Sequence, residues 1–139
     1  MQQENHVVIV RIWCRREKQM KKTVAFDFDG VIHSYESGWQ GAAVVPDPPV
    51  PGIKESIEAL RAAGYEVVIV SSRANTEEGF HAIHNFLQKN EIEVDMVTNN
   101  KPAAVCIVDD RAICFDGNAK SLVEKIVNFR PWNAKEAKV

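Results

Sequence analysis

Four short apolar runs, separated by helix-like or polar segments, constrain the fold of this 139-residue chain most strongly. The runs are TVAFDF at 23–28, EVVIV at 66–70, EVDMV at 93–97 and AVCIV at 104–108. Continuous apolar runs of this length are typical of parallel strands that are buried on both faces. The length suits one domain around a single core. The sequence therefore predicts an α/β protein built on a parallel sheet.

Amphipathic patterns between and after these runs predict three helices, at 53–64, 76–90 and 118–129. The first ends at Gly64, a residue type common just after a helix, and the second begins after Thr76, a good N-cap residue. The apolar stripes are Ile53, Ile57 and Leu60; Phe80, Ile83 and Leu87; and Leu122, Val123, Ile126 and Val127. Alternating strands and helices with short links predict a sheet with helices on both faces.

The organisation along the chain is that of one domain with two terminal additions. Residues 1–21 are predicted to be an N-terminal extension, and HVVIVRIWC leaves open an added strand, or a start at Met20. The domain is predicted at 22–131 and a C-terminal tail at 132–139.

Composition excludes several classes of function. The formal net charge of -2 provides no general attraction to nucleic acid or anionic membranes. No apolar run approaches the roughly 18 residues of a membrane span, and no secretory signal is recognisable, so we expect a cytoplasmic protein. The three cysteines form no C-x-x-C pair, which argues against a zinc knuckle or a disulfide framework.

Polar side chains follow each apolar run. They are Asp27 and Asp29; Ser71, Ser72 and Arg73; Asn99, Asn100 and Lys101; and Asp109, Asp110 and Arg111. Because ligands bind at the carboxyl ends of the strands in such sheets, we expect these groups to meet at one edge. Crowded carboxylates need positive charge, and a hard cation with oxygen ligands supplies it. The pattern therefore favours a Mg²⁺ site.

The segments FDFDGV, VVIVSSR, NNKP and VCIVDDR, in this order, resemble the four motifs of the haloacid dehalogenase-like superfamily. The resemblance implies a Rossmann-like fold, a small flap hairpin after the first strand, an aspartyl nucleophile and Mg²⁺. The S-x-R and D-D-R forms are similar to the 3′-phosphatase half of phage polynucleotide kinase and to related small phage phosphatases.

The resemblance also implies residue roles. By matching position, Asp27 is the nucleophile, Asp29 is the general acid/base and binds the metal through its main-chain carbonyl, and Lys101 is the third-motif lysine. The metal-holding pair is Asp109 and Asp110. An aspartate with an ordinary pKa near ~4 is already ionised at pH 7, so Asp27 needs no base to attack phosphorus.

Several assignments stay open. The resemblance implies that Ser71 is the phosphate-binding hydroxyl, with Ser72 as the alternative. Asp109 is the preferred direct metal ligand, and the alternative is that Asp110 holds the metal through water or orients Lys101. Arg73 is a surface arginine or a bidentate phosphate ligand.

The histidines and Trp39 can likewise be interpreted either as structural residues or as part of the site. His33 is a candidate substrate contact, whereas His81 and His84 are better explained as one helix face than as metal ligands. Trp39, in the predicted flap, is a packing residue or a platform for a base or ring.

The spacing of the motifs excludes a cap domain. About 43 residues separate Asp27 from Ser71, and they already contain the flap, a proline-rich link and one helix. The site should therefore be open unless a partner subunit covers it, and by analogy an open site suits bulky substrates.

The resulting hypothesis is a phosphomonoester hydrolase that uses an aspartyl-phosphate and acts on a nucleotide or a polynucleotide phosphate end. The alternative within the same reaction class is a general phosphatase that acts on small molecules. A non-catalytic binding or regulatory module is the alternative from another class, and an oligomer is compatible with either.

Overall fold

A single parallel sheet of four short strands forms the centre of the computed structural model, which describes residues 21–134. The strands are β1 (Thr23–Phe26), β2 (Glu66–Val70), β3 (Met96–Thr98) and β4 (Cys106–Val108). Their order across the sheet is β3-β2-β1-β4, and every pairing is parallel. The predicted α/β, Rossmann-like architecture is thereby confirmed.

The strand at 66–70 has its predicted bounds, but the third begins later than the run at 93–97. The reason lies at Asp95, whose carboxylate accepts a hydrogen bond from the backbone N–H of Val67 over 2.8 Å. The side chain thus takes a donor that a strand partner would use, and regular pairing with β2 starts only at Met96.

The three predicted helices are present, with shorter bounds. They are α1 (Ile53–Ala62), α2 (Glu77–Lys89) and α3 (Leu122–Val127). Thr76 caps α2 as predicted, since its hydroxyl accepts a hydrogen bond from the backbone N–H of Gly79 over 3.1 Å. Gly64, two residues after α1, has a φ of +92°, which suits glycine. Within residues 21–134, none of the helices has the length and apolar character needed to cross a membrane.

The core lies between the sheet and the helices α1 and α2. The register pairs Val24 with Val67 and Phe26 with Ile69, so these side chains share one face of the sheet. The buried cluster on this face includes Val24, Phe26, Val67, Ile69 and Val97 from the strands and Ile57, Ile83, Phe86 and Leu87 from the helices. Both crossover helices therefore contribute to the same core.

The third helix differs from its prediction in packing rather than in presence. Its apolar side chains Val123, Ile126 and Val127 are exposed, and it contacts mainly the preceding turn at 119–121. The described residues thus show an exposed apolar helix here rather than a buried stripe.

A loop from residue 27 to residue 52 connects β1 to α1 and occupies the place of the predicted flap hairpin. It is held by two isolated bridges at His33, one to Asp29 and one to Pro49, rather than by a strand ladder. The backbone N–H of Ser34 also donates to the carbonyl of Pro48 over 2.9 Å. We refer to residues 34–48 as the flap loop. In the described chain no cap domain interrupts the sheet.

Candidate active site

Three carboxylates converge at the carboxyl edge of the sheet. Asp27 follows β1, and Asp109 and Asp110 follow β4, which is the parallel neighbour of β1. One carboxylate oxygen from each of the three lies within 4.8 Å of the others. Because adjacent parallel strands end at the same edge, the two sequence motifs form one cluster, as expected. We call these residues the carboxylate cluster.

The cluster changes the acidity of Asp27. Burial raises the pKa of Asp27 to about 7, together with a hydrogen bond to the carboxyl group of Asp110 and the negative charge of Asp109. The backbone N–H of Phe28, which donates to Asp27 Oδ1 over 2.9 Å, opposes this shift. The assumption of an ordinary pKa near ~4 for Asp27 is therefore wrong for the metal-free site.

The residues fit a hard divalent cation. Asp110 Oδ1 is buried and has no hydrogen-bond partner within the described part of the chain, so this oxygen is free to bind a cation. Gly30 allows the Asp110 carboxylate to approach the backbone closely, because a Cβ at residue 30 would clash with that carboxylate. The φ of Gly30 is +87°, which glycine also adopts most readily. Carboxylate oxygens at this density are the donor set that Mg²⁺ takes.

Asp29 lies outside the carboxylate cluster, and its carboxylate accepts hydrogen bonds from Arg73 and His33. Its Oδ2 accepts from Arg73 Nε over 2.7 Å, and its Oδ1 lies 2.8 Å from His33 Nδ1. Burial alone would raise the pKa of Asp29, but the hydrogen bonds from His33 and Arg73 and the charge of Arg73 hold it below the ordinary value. The Asp29 carboxylate is therefore ionised and is not part of the carboxylate cluster.

Arg73, a predicted substrate-phosphate ligand, is engaged inside the protein instead. Its side chain is fully buried, and all three of its nitrogen atoms donate to protein acceptors. Two of them bind Asp29, and Nη1 binds flap-loop carbonyl oxygens at 2.8–3.0 Å. These carbonyls belong to Gly41, Ala42 and Val44. Arg73 is therefore not the surface arginine of one alternative, and the donors that the other alternative assigns to a phosphate are directed to Asp29 and the flap loop.

His33 is also an internal link rather than a wall of the site. Its side chain is fully buried, and its Nε2 accepts a hydrogen bond from the backbone N–H of Asp47 over 3.1 Å. The ring hydrogen is therefore on Nδ1, where it is donated to Asp29. His33 connects the loop after β1 to the flap loop. The candidate substrate contact at His33 is not supported.

A cavity of about 330 Å³ opens beside the carboxylate cluster. Its lining consists of Asp27, Asp29, Tyr35, Trp39, Ser71, Ser72, Asp110, Arg111, Pro131 and Asn133. Both candidate serines thus reach the wall, but Ser71 is buried and accepts from the Arg73 backbone N–H, whereas Ser72 is exposed. A larger cavity, of about 460 Å³, lies between the flap loop and α2 but contains none of the clustered carboxylates.

Lys101 does not reach this cavity. It is exposed, lies outside the lining, and forms no hydrogen bond or ion pair with any residue in the range 21–134. It follows β3, which is the outer strand on the side of the sheet away from β4. The structure therefore does not place the predicted catalytic lysine beside Asp27. Among the described residues of the lining, Arg111 is the basic one.

The segment after α3, predicted as a tail from residue 132, closes one side of the site. The indole N–H of Trp132 donates to the carbonyl oxygen of Gly30 over 2.8 Å, and Asn133 lines the cavity. The hydrogen bond between Trp132 and Gly30 joins residues 102 positions apart. No local sequence signal indicates such a contact. Arg111, in contrast, directly follows the acidic pair and was among the groups expected at this edge, although it was given no role.

The fold and the site together define an α/β protein with an acidic, cation-compatible centre at the carboxyl edge of its sheet. No known protein family and no curated protein matches the sequence. A chain in a solved structure titled "Structure of Pnkp1/Rnl/Hen1 complex" has a similar fold, with a TM-score of 0.50 and 17% identity. The match covers 82% of this chain and 36% of that chain, and at this identity it supports the fold alone.

Proposed function

We propose that the protein is a Mg²⁺-dependent phosphomonoester hydrolase that works through an aspartyl-phosphate intermediate. The observation that carries this proposal is the convergence of Asp27, Asp109 and Asp110 at one side of an open cavity. A cation-compatible cluster that includes a carboxylate open to ligand is the arrangement required for attack on a phosphate group.

In this proposal the carboxylates and the polar residues of the cavity wall have separate roles. Asp27 supplies the oxygen that bonds to phosphorus, and Asp109 and Asp110 hold the metal. Bound Mg²⁺ would supply the positive charge that keeps these carboxylates ionised and offsets the charge of the phosphate. Arg111 and one of the serines, Ser71 or Ser72, bind the phosphate oxygens from the cavity wall.

The ionised state of Asp29 supports one half of its predicted role. As the P–O bond to the leaving group breaks, the departing oxygen takes a proton from water in the open cavity. In the second step Asp29 accepts a proton from the water that attacks the aspartyl-phosphate, the bond between the Asp27 oxygen and phosphorus breaks, and inorganic phosphate is released. Asp29 then returns the proton to water in the cavity, which regenerates both carboxylates. Asp29 lines the cavity, which supports the role of base in this step.

The substrate that we propose is a nucleotide or a polynucleotide with a terminal phosphate. Two observations support it: the described chain has no cap domain over the cavity, and the fold is similar to that of a chain in an assembly whose title names Pnkp1, Rnl and Hen1. A cavity of about 330 Å³ also suits a small phosphate ester, so a general small-molecule phosphatase is the second candidate.

Release of phosphate from an aryl phosphate, with and without Mg²⁺, tests the reaction. We expect Mg²⁺-dependent release by the parent protein and loss of at least 100-fold in Asp27→Asn, a scale typical of a lost nucleophile. Asp116→Asn is the matched control, because Asp116 pairs with Lys125 outside the site. Phosphate release by Asp27→Asn at the parental rate would exclude Asp27 as nucleophile. A parent that released no phosphate from aryl phosphate, mononucleotides or 3′-phosphorylated oligonucleotides would exclude the enzyme.

A further inference from the structure

Trp39 is an aromatic side chain on the flap loop that faces both the protein interior and the cavity. The guanidinium carbon of Arg73 lies 4.6 Å from the centre of the Trp39 ring, so the two groups are stacked. The ring is nevertheless 55% exposed and lines the cavity that contains Asp27. One side of the indole is thus supported by a buried cation, while much of the ring is open to a ligand.

The flap loop that carries Trp39 is anchored at both ends. Arg73 Nη1 donates to three carbonyl oxygens on the C-terminal side of Trp39. On the N-terminal side, the backbone N–H and hydroxyl of Ser37 donate to the two oxygens of the Asp47 carboxylate, over 2.8 and 2.6 Å. A ring that is held in place before binding loses little conformational entropy when a ligand stacks on it.

We propose that Trp39 is a stacking platform for a nucleobase, so that the substrates are phosphate esters of nucleosides or of nucleic-acid ends. This inference rests on the proposed phosphatase function, because it places the phosphate at the carboxylate cluster and the base on Trp39 within one cavity. Stacking on an indole suits every base, since each has a flat π-face. An aliphatic phosphate ester offers no such face and gains nothing from Trp39.

Equilibrium binding to the Asp27→Asn protein, measured by calorimetry in Mg²⁺ buffer, tests the platform without turnover. The ligands are adenosine 3′- and 5′-monophosphate, with ribose 5-phosphate as the base-free counterpart. We expect Trp39→Leu to weaken binding of at least one adenosine phosphate by about 5- to 150-fold, the range given by removal of one stacked base. Binding of ribose 5-phosphate should change less than twofold.

Two further variants separate stacking from folding. Trp39→Phe keeps a π-face and should restore most of the affinity lost in Trp39→Leu. Phe115→Ala removes an exposed aromatic ring outside the cavity lining and should leave adenosine binding unchanged. Melting temperatures within a few degrees of the parent establish that each variant is folded.

The outcomes distinguish the platform from the proposed reaction. Equal affinity of Trp39→Leu and parent for both adenosine phosphates, or no adenosine binding to either, overturns the platform. Trp39-dependent adenosine binding by a protein whose wild-type form releases no phosphate from any ester would retain the platform and reject the phosphatase. If both hold, we expect Trp39→Leu to lose more of its hydrolysis of adenosine phosphates than of its hydrolysis of ribose 5-phosphate, which has no base to stack.

Discussion

Arg73 and Asp29 form a two-point ion pair that joins the helical turn after β2 to the loop after β1. Arg73 Nε donates to Asp29 Oδ2 over 2.7 Å, and Nη2 donates to Asp29 Oδ1 over 3.1 Å. The pair is nearly excluded from solvent, with side-chain exposures of 0% for Arg73 and 19% for Asp29. The second aspartate of FDFDG is therefore a structural anchor of the flap loop as well as a candidate base.

Removal of Arg73 should destabilise the protein strongly. In Arg73→Ala the largely buried Asp29 carboxylate loses both of its arginine hydrogen bonds, and the flap-loop carbonyl oxygens lose their donor, so we expect a loss of about 3–5 kcal/mol in unfolding free energy. Arg73→Lys should recover only part of this loss, because an ammonium group cannot reproduce the two-point geometry. Urea unfolding measures both changes.

The control for this experiment is Arg61→Ala. Arg61 also contacts two carboxylates, those of Glu93 and Asp95, but it does so on the surface, where such pairs contribute little. If Arg73→Ala and Arg61→Ala lowered the stability equally, the buried pair would not be the anchor that its geometry indicates.

The contrast between Asp110 and Lys101 shows what the sequence could predict about the site. The carboxylates after β1 and β4 meet because adjacent parallel strands end at one edge, and a pattern of apolar runs is enough to predict that. The direction of a long side chain after a strand depends on the loop that follows, which no periodicity encodes. Lys101 was predicted to be part of the site, but it follows the outer strand β3, is exposed and lies outside the lining of the cavity.

The partner of Arg73 was unpredictable for a related reason. Arg73 and Asp29 are 44 residues apart. The sequence predicted roles in proton transfer for Asp29 and in phosphate binding for Arg73, and neither role indicates that the two side chains pair. Only the folded path of the flap loop brings carbonyl oxygens to the guanidinium. Local signals such as the Thr76 cap and the strand at 66–70 depend on neighbours in sequence, and these were predicted correctly.

Mg²⁺ should raise the melting temperature of the parent protein. Binding to the folded state alone stabilises it by about 2.7 kcal/mol when the free ion is at 100 times its dissociation constant. Asp110→Asn should abolish most of this response, because it removes the negative charge and one of the two oxygens of a carboxylate that has a buried oxygen without a hydrogen-bond partner in the described chain. Asp116→Asn, outside the cluster, should retain it. An equal Mg²⁺ response in Asp110→Asn and the parent would contradict the assigned site.

Asp95 should make stability depend on pH in the acid range. Burial alone would raise the pKa of Asp95, but the Val67 backbone N–H and Arg61 lower it below the ordinary value. An acid with a lowered pKa in the folded state stabilises the fold above its unfolded pKa, near 3.8, and loses this effect as the pH falls through the folded pKa.

The test compares the unfolding free energy of the parent with that of Asp95→Asn across pH. We expect the parent to be more stable at pH 7, and the difference to shrink steadily below about pH 4. Glu93→Gln provides the control, because Glu93 contacts Arg61 but no backbone N–H, and its side chain is 85% exposed. A difference between parent and Asp95→Asn that grew towards low pH would have the wrong sign for this assignment.

Gly30→Ala should damage the site more than it damages the fold. The new methyl group would overlap the Asp110 carboxylate and force it out of the cluster, and Gly30 also has a φ of +87°. Gly117→Ala is a matched control, since Gly117 has a φ of +91° but nothing within 4 Å of an added Cβ. Backbone strain alone costs roughly 1–2 kcal/mol at either position.

The two glycine variants therefore separate strain from overlap. We expect both to lose stability to a similar extent through the backbone, but only Gly30→Ala to lose the thermal response to Mg²⁺ and the release of phosphate. Thermal melts with and without Mg²⁺ and the aryl phosphate assay give these quantities directly. Because the Mg²⁺ response requires no turnover, it tests the Gly30–Asp110 contact even if the natural substrate is not an aryl phosphate. A Gly30→Ala protein with a full Mg²⁺ response would show that Asp110 binds no metal from this position.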